Sequence, residues 1–167
     1  MESIKPILEF KKTCVSYTKQ TMAVKYVSAA IEKNSITAIM GPSGCGKSTL
    51  LRAVNLMHNL YQNIRVDGEI LLNGENILSM EPIEVRRKVG MVFQYPEYQL
   101  FAETVFDDVA FGLKNFHPEL SSSEVALKVQ KALEVVGLDY DAVKNKSPFE
   151  LSGGQKRRVA LAGILVS

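Results

Sequence analysis

The sequence predicts an α/β fold organised around a loop that cradles phosphate, and two observations carry that prediction. The run Gly41-Pro42-Ser43-Gly44-Cys45-Gly46-Lys47-Ser48-Thr49 has glycines where a backbone must wrap tightly enough to aim successive N–H groups at an anion. Its flanks then change period, from a short β-branched run to apolar residues at helical spacing. Such a match arises by chance in a chain of this length on the order of 0.6% of the time, so a ligand-free glycine turn is the weaker reading.

Taken in order, residues 7–10, 24–31 and 70–72 read as strands, and Asn73-Gly74 is a hairpin turn signal. They are expected to form an antiparallel layer beside a buried strand over 35–40 that delivers the chain into the loop. Residues 48–57 should form the helix whose positive N-terminal end lies under the phosphates. In this arrangement Lys47 reaches the terminal phosphates and the Ser48 hydroxyl completes a Mg²⁺ shell. A second strand is expected over 88–93.

From Tyr95 onward the pattern turns helical. Thr104 with Asp107 marks a capped start, and Val105, Val109 and Leu113 fall on one face. Ser121 with Glu124 is a capping box, 125–136 keeps helical spacing, and Gly137 is a fitting stop. Pro148 breaks the chain before Leu151-Ser152-Gly153-Gly154-Gln155, where Ser152 and Gln155 again have capping-box spacing. The two glycines leave first-turn N–H groups uncovered, so a second anion can dock there. Lys156-Arg157-Arg158 reads as a solvated helix face.

Composition bounds the remaining classes. The 167 residues are 46% hydrophobic with net charge +2 and pI near 8.5, too mild a balance to argue for nucleic acid. Cys14 and Cys45 make neither a disulfide framework nor a zinc site, which fits a reducing compartment. His58 and His117 have no companions at metal-ligand spacing. No stretch approaches the ~18 apolar residues that cross a bilayer, and no secretory signal opens the chain, so membrane association is expected through a partner.

Gly41 to Thr49 and Leu151 to Gln155 together resemble the ATP-binding subunit of ABC transporters, as its Walker A loop and signature motif, and the resemblance covers essentially the whole chain. It implies a P-loop NTPase fold: a RecA-like core with an antiparallel β subdomain and a helical signature subdomain. The corresponding division is residues 1–94 for the core and β layer, 95–150 for the helical part, and 151–167 for the signature and its helix. The resemblance also implies that Gln94 contacts Mg²⁺ together with Ser48, that Tyr17 stacks on adenine, and that Leu151, Ser152, Gly153, Gly154 and Gln155 close over the ATP of a partner subunit. On its residues alone, Tyr17 reads equally well as packing. The partners implied are a second ABC ATP-binding subunit, as homo- or heterodimer, and a transmembrane subunit, at the cytoplasmic face of the membrane. ATP and Mg are the implied ligands.

The family's Walker B Asp, catalytic Glu and switch His have no counterparts in the 167 residues, so no catalytic residue is assigned within them. The sequence therefore reads as truncated before Walker B, with the C-terminal core strands missing and apolar surface exposed where they would pack. That leaves two functional expectations: a transport ATPase subunit, or a truncated, non-hydrolysing ATP-binding or regulatory module. Residues 55–61 and 65–70 resemble phosphate-importer ATPases. Residues 93–101, 108–112 and 147–151 resemble energy-coupling-factor and cobalt-type ATPases. The second half contacts the transmembrane partner in this family, so metal-ion or vitamin cargo is favoured, with phosphate next. Small P-loop kinases and GTPases have no reason to carry Leu151 to Gln155.

Overall fold

A computed structural model describes residues 5–18 and 21–166, so Ser167, the end of the signature span, lies outside the described residues. The chain divides into two compact units at Val89/Gly90.

The first unit is built on a four-stranded antiparallel sheet in the order β2-β1-β3-β4. Its strands are β1 (Leu8–Ser16), β2 (Met22–Ile31), β3 (Arg65–Leu72) and the two-residue β4 (Glu75–Asn76). The expected antiparallel layer is therefore present, with longer strands than the apolar runs alone marked. β1 continues past Phe10 because a bulge absorbs its irregular register: Lys12 takes φ 48 and pairing with β3 shifts between Lys11 and Cys14. Opposite the bulge, Gly68 has φ 88, and a Cβ there would lie 2.5 Å from the Lys12 carbonyl oxygen. Only glycine fits that approach. The bulge also turns Thr13 inward, where it is buried and its hydroxyl donates to the Glu69 carbonyl at 2.8 Å. Asn73 (φ 51) and Gly74 (φ 87) make the β3–β4 turn with both residues left-handed, as a type I′ turn requires.

One face of the sheet carries Phe10, Val15, Val24, Ile70 and Leu72. Against it packs α1 (Lys47–Val54) through Leu50, Ala53 and Val54. The helix is shorter than the expected 48–57. Asn55 caps it and Leu56 turns left-handed (φ 57), which starts a 3₁₀ turn at Met57–Leu60. α2 (Pro82–Lys88) begins on proline, buries Val85 and follows a second 3₁₀ turn, Ile77–Ser79.

Two expected strands are not formed. Residues 35–40 run without ladder partners, and Ile36 (103% exposed) and Met40 (88%) are open to solvent. Their β-branched composition suits a buried parallel strand, but such a strand exists only between neighbours, and no described segment pairs with it. Residues 88–93 likewise form no strand: Lys88 closes α2 and 89–93 are irregular.

The second unit is helical. It contains α3 (Val105–Phe116), α4 (Ser122–Val135), the single turn α5 (Tyr140–Val143) and α6 (Gly153–Leu165), with 3₁₀ turns at Pro96–Gln99 and Pro148–Glu150. Val105, Val109 and Leu113 of α3, Val125, Val129 and Leu133 of α4, and Val159 and Ala162 of α6 share one core. The expected caps are formed. Thr104 Oγ1 accepts from the Asp107 N–H at 3.1 Å, and Ser121 and Glu124 satisfy one another's backbone N–H groups. Gly137 ends α4 at φ 73, with its N–H donating to the Glu134 carbonyl.

Candidate nucleotide-binding site

The phosphate loop lies in the first unit and ends in α1. Gly46 caps the helix in a left-handed conformation (φ 96), and a Cβ on it would come 2.6 Å from the Ala23 carbonyl oxygen. Glycine is required here twice over, by φ and by the close approach of β2. Gly44 (φ 79) is also left-handed but faces open space, so its demand is conformational only.

Lys47 folds back over the loop. Its Nζ donates to the Gly41 carbonyl at 2.8 Å and the Pro42 carbonyl at 2.7 Å, and lies 3.5 Å from Cys45 Sγ. The ammonium is therefore held at the mouth of the loop by its first turn. All three ammonium N–H groups are engaged, so a phosphate oxygen seated there takes over a donor from the weakest of them, the bond to Cys45 Sγ. Ser48 is exposed at the start of α1, and its hydroxyl is a hard oxygen donor of the kind Mg²⁺ accepts.

Tyr17 stands at the end of β1, and its hydroxyl shares a 2.7 Å hydrogen bond with Thr49 Oγ1. The structure thus brings Tyr17 to the phosphate loop, although 32 residues separate the two partners. The ring forms one wall of a cleft of about 640 Å³ lined also by Thr49, Arg52, His58, Tyr61 and Gln62. His58 is half-buried, and desolvation holds its pKa below the ordinary 6.5. Its Nδ1 is buried with no hydrogen-bond partner among the described residues, a setting that disfavours the cation. Arg86 is a contributor that sequence spacing did not mark. Its guanidinium donates to the Asn55 and Leu56 carbonyls, each at 3.4 Å, and so closes the C-terminal end of α1.

Gln94 and the signature residues belong to the second unit. Gln94 is exposed just before the Pro96–Gln99 turn. Leu151 is buried in the helical core, while Ser152, Gly153 and Gly154 are exposed on the first turn of α6. Ser152 Oγ accepts from the Gln155 N–H at 3.3 Å, and Gln155 Oε1 accepts from the Ser152 N–H at 3.0 Å. A Cβ on Gly153 or Gly154 would meet nothing within 4 Å. The space over those N–H groups is open to a large anion.

The basic run after the signature lies on a face open to solvent, as its composition suggests, and its side chains also make specific contacts there. Arg157 Nε donates to Glu97 Oε2 at 3.2 Å, Arg158 Nη1 donates to the Gly137 carbonyl at 2.9 Å, and Lys156 Nζ lies 5.7 Å from the centre of the Phe149 ring. Glu97 and Gly137 are distant in sequence and Phe149 lies in the turn before α6, so the helical period carried no trace of these contacts. Among the described residues no group of three or more His, Cys, Asp and Glu could hold a metal ion, and no helix is long and apolar enough to cross a membrane.

Comparison with known proteins agrees with this geometry. The energy-coupling factor transporter ATP-binding protein EcfA2 of Clostridium perfringens is 44% identical over 147 residues, covering 87% of this chain and 50% of that protein. EcfA2 of Symbiobacterium thermophilum is 49% identical over 144 residues, 86% of this chain and 48% of that protein. The chain spans about half the length of the curated relatives it matches. Among solved structures, cbiO1 from Clostridium perfringens, part of the ABC transporter complex cbiONQ, superposes with a TM-score of 0.82 at 35% identity, covering 97% of this chain and 62% of that one. The profile described as ABC transporter matches residues 24–167, a span that takes in both the phosphate loop and the capped glycine turn, and the chain belongs to that family.

Proposed function

We propose that this chain is the ATP-binding part of an ABC importer of the energy-coupling-factor or cobalt type, moving a metal ion or a vitamin, with phosphate as the next cargo class. The observation that carries the reading is the pre-positioned Lys47 ammonium at the mouth of a glycine loop whose helix is tied to Tyr17 through Thr49. The names of the EcfA2 and cbiO1 relatives support the transporter type.

In this reading the loop N–H groups and Lys47 bind the β- and γ-phosphates of ATP, and Tyr17 offers its ring to the adenine. Mg²⁺ would be held by the Ser48 hydroxyl and would supply charge neutralisation to the phosphates. Gly153 and Gly154 present their N–H groups, and Ser152 its hydroxyl, to ATP on a second ATP-binding subunit. A transmembrane subunit docks on the surface after Gln94. Tyr98 and Phe101 are exposed there while Leu100 is buried beneath them, and Phe101 is braced edge-on against Phe111 at 4.8 Å. Exposed aromatics of this kind mark contact surfaces. The site of action is then the cytoplasmic face of the membrane.

Binding of a labelled ATP analogue tests the core of the proposal. Wild type binds, and Lys47→Ala loses about 2 kcal/mol, roughly thirtyfold in affinity, because the bond removed is to a charged group. Equal affinity in the variant removes the nucleotide reading. Cysteine crosslinking from positions 95, 98 and 101 to a membrane subunit tests docking; failure at all three in a folded protein removes that surface.

A further inference from the structure

The segment from Gly90 to Gln99 meets α6 at two places. At one end, a Cβ built on Gly90 would stand 2.5 Å from Ile164 Cγ2, so any larger residue there forces the Ile164 side chain or the segment to shift. At the other, Glu97 Oε2 receives the 3.2 Å bond from Arg157 Nε across 60 residues of sequence. The Glu97 side chain is only 17% exposed, though Arg157 keeps 55% of its own surface open. Buried Pro96 roots the turn between them, and Tyr95 enters it left-handed (φ 58). Arg157 and Ile164 are seven residues apart on α6, two turns along one side of the helix and about 10.5 Å in rise. Gln94 sits between the two anchors, Tyr98 directly after the second, and Arg157 two residues after Gln155.

We propose that the Glu97–Arg157 pair and the Gly90–Ile164 contact form a two-point clamp that positions the Gln94 segment along the signature helix, making Glu97 and Arg157 positioning residues that join the docking surface to the signature turn. The glycine contact sets the spacing, since a side chain there meets the Ile164 methyl. The ion pair fixes the register, since Nε engages one carboxylate oxygen of a turn already set by Pro96. The carboxyl is kept below its usual range first by a bond to its own backbone N–H and then by Arg157, so the pair stays charged at neutral pH. Its half-open position leaves it sensitive to salt, suiting a contact that shifts under load better than a permanent staple.

This inference rests on the importer reading for its purpose but not for its test. Hydrogen exchange is measured on the whole 167-residue chain over 91–99 and over the first turn of α6, in wild type, Glu97→Gln, Arg157→Gln and the double variant. Each single substitution is expected to speed exchange about threefold in both segments, the scale of a half-exposed ion pair, and the double variant should equal either single. Effects confined to the mutated segment, or additive in the double variant, overturn the clamp. Gly90→Ala gives a second measurement: it should speed exchange over 91–99, and adding Ile164→Ala should reverse this by making room; no reversal counts against the contact. With vesicles carrying a membrane subunit, Glu97→Gln should weaken docking of the chain while leaving ATP affinity unchanged, and unchanged docking overturns the joining role. Wild type that binds no ATP rejects the nucleotide reading instead, and the exchange result still stands or falls alone.

Discussion

Lys47 shows how one side chain is ordered by the loop that carries it. Its ammonium is already ordered by two carbonyls, so less side-chain entropy remains to be lost on binding than for a free lysine. Tyr17 is prepared differently, by its bond to Thr49. If its ring carries the base, Tyr17→Ala should weaken ATP by about 1 kcal/mol, roughly fivefold, while leaving inorganic tripolyphosphate unaffected. Tyr17→Phe, which keeps the ring, should bind ATP like wild type; equal losses for ATP and tripolyphosphate in Tyr17→Ala would show that the tyrosine only braces the loop. His58 gives a pH dependence of known sign. Its folded pKa lies below 6.5 because burial disfavours the cation, so its contribution to stability is intact above 6.5 and is lost as pH falls through the folded value. Melting followed from about pH 7.5 to 5.5 should therefore show a smaller acid loss for His58→Gln than for wild type. Identical losses would place the acid sensitivity elsewhere.

At the scale of elements, the helices of the second unit were set by local chemistry. Thr104, Ser121 and Ser152 each accept the third N–H of the helix they start, and the side chain that does so lies within four residues of its target. Ser121→Ala should cost the second unit about 1 kcal/mol in urea unfolding, the usual value of an N-cap. Ser122→Ala, one residue inside α4, should cost far less, and equal losses would show that the capping box is not what starts α4. Strands depend on partners instead. β1 extends six residues beyond its apolar run because β2 and β3 flank it, whereas 35–40 stays unpaired despite a better β composition. The expectation of a strand at 88–93 failed for the same reason.

At the scale of the whole molecule, each unit has its own apolar core, and the first carries exposed apolar side chains at Ile36 and Met40 in addition to that core. With net charge of only +2, little repulsion opposes association through such a surface. The 167-residue chain should therefore bind a hydrophobic dye and self-associate. Ile36→Lys with Met40→Lys should reduce both without lowering the melting temperature, since neither side chain packs on anything. A large fall in melting temperature would show that 35–40 is buried in solution.

What the sequence by itself determined was everything decided within a few residues. The phosphate loop needs left-handed glycines at 44 and 46, the hairpin needs Asn73-Gly74, and the caps of α3, α4 and α6 need an oxygen at a set distance from an N–H. The apolar faces of α3 and α4 follow from a 3.6-residue period and needed no partner to be recognised. Only the tertiary structure decided what lies across long separations: that Tyr17 meets Thr49, that Arg86 closes α1, that Arg157 holds Glu97, and that Gly90 runs against the Ile164 side chain. Those contacts follow no period, because a fold brings residues together through packing and turns whose summed geometry no local pattern encodes.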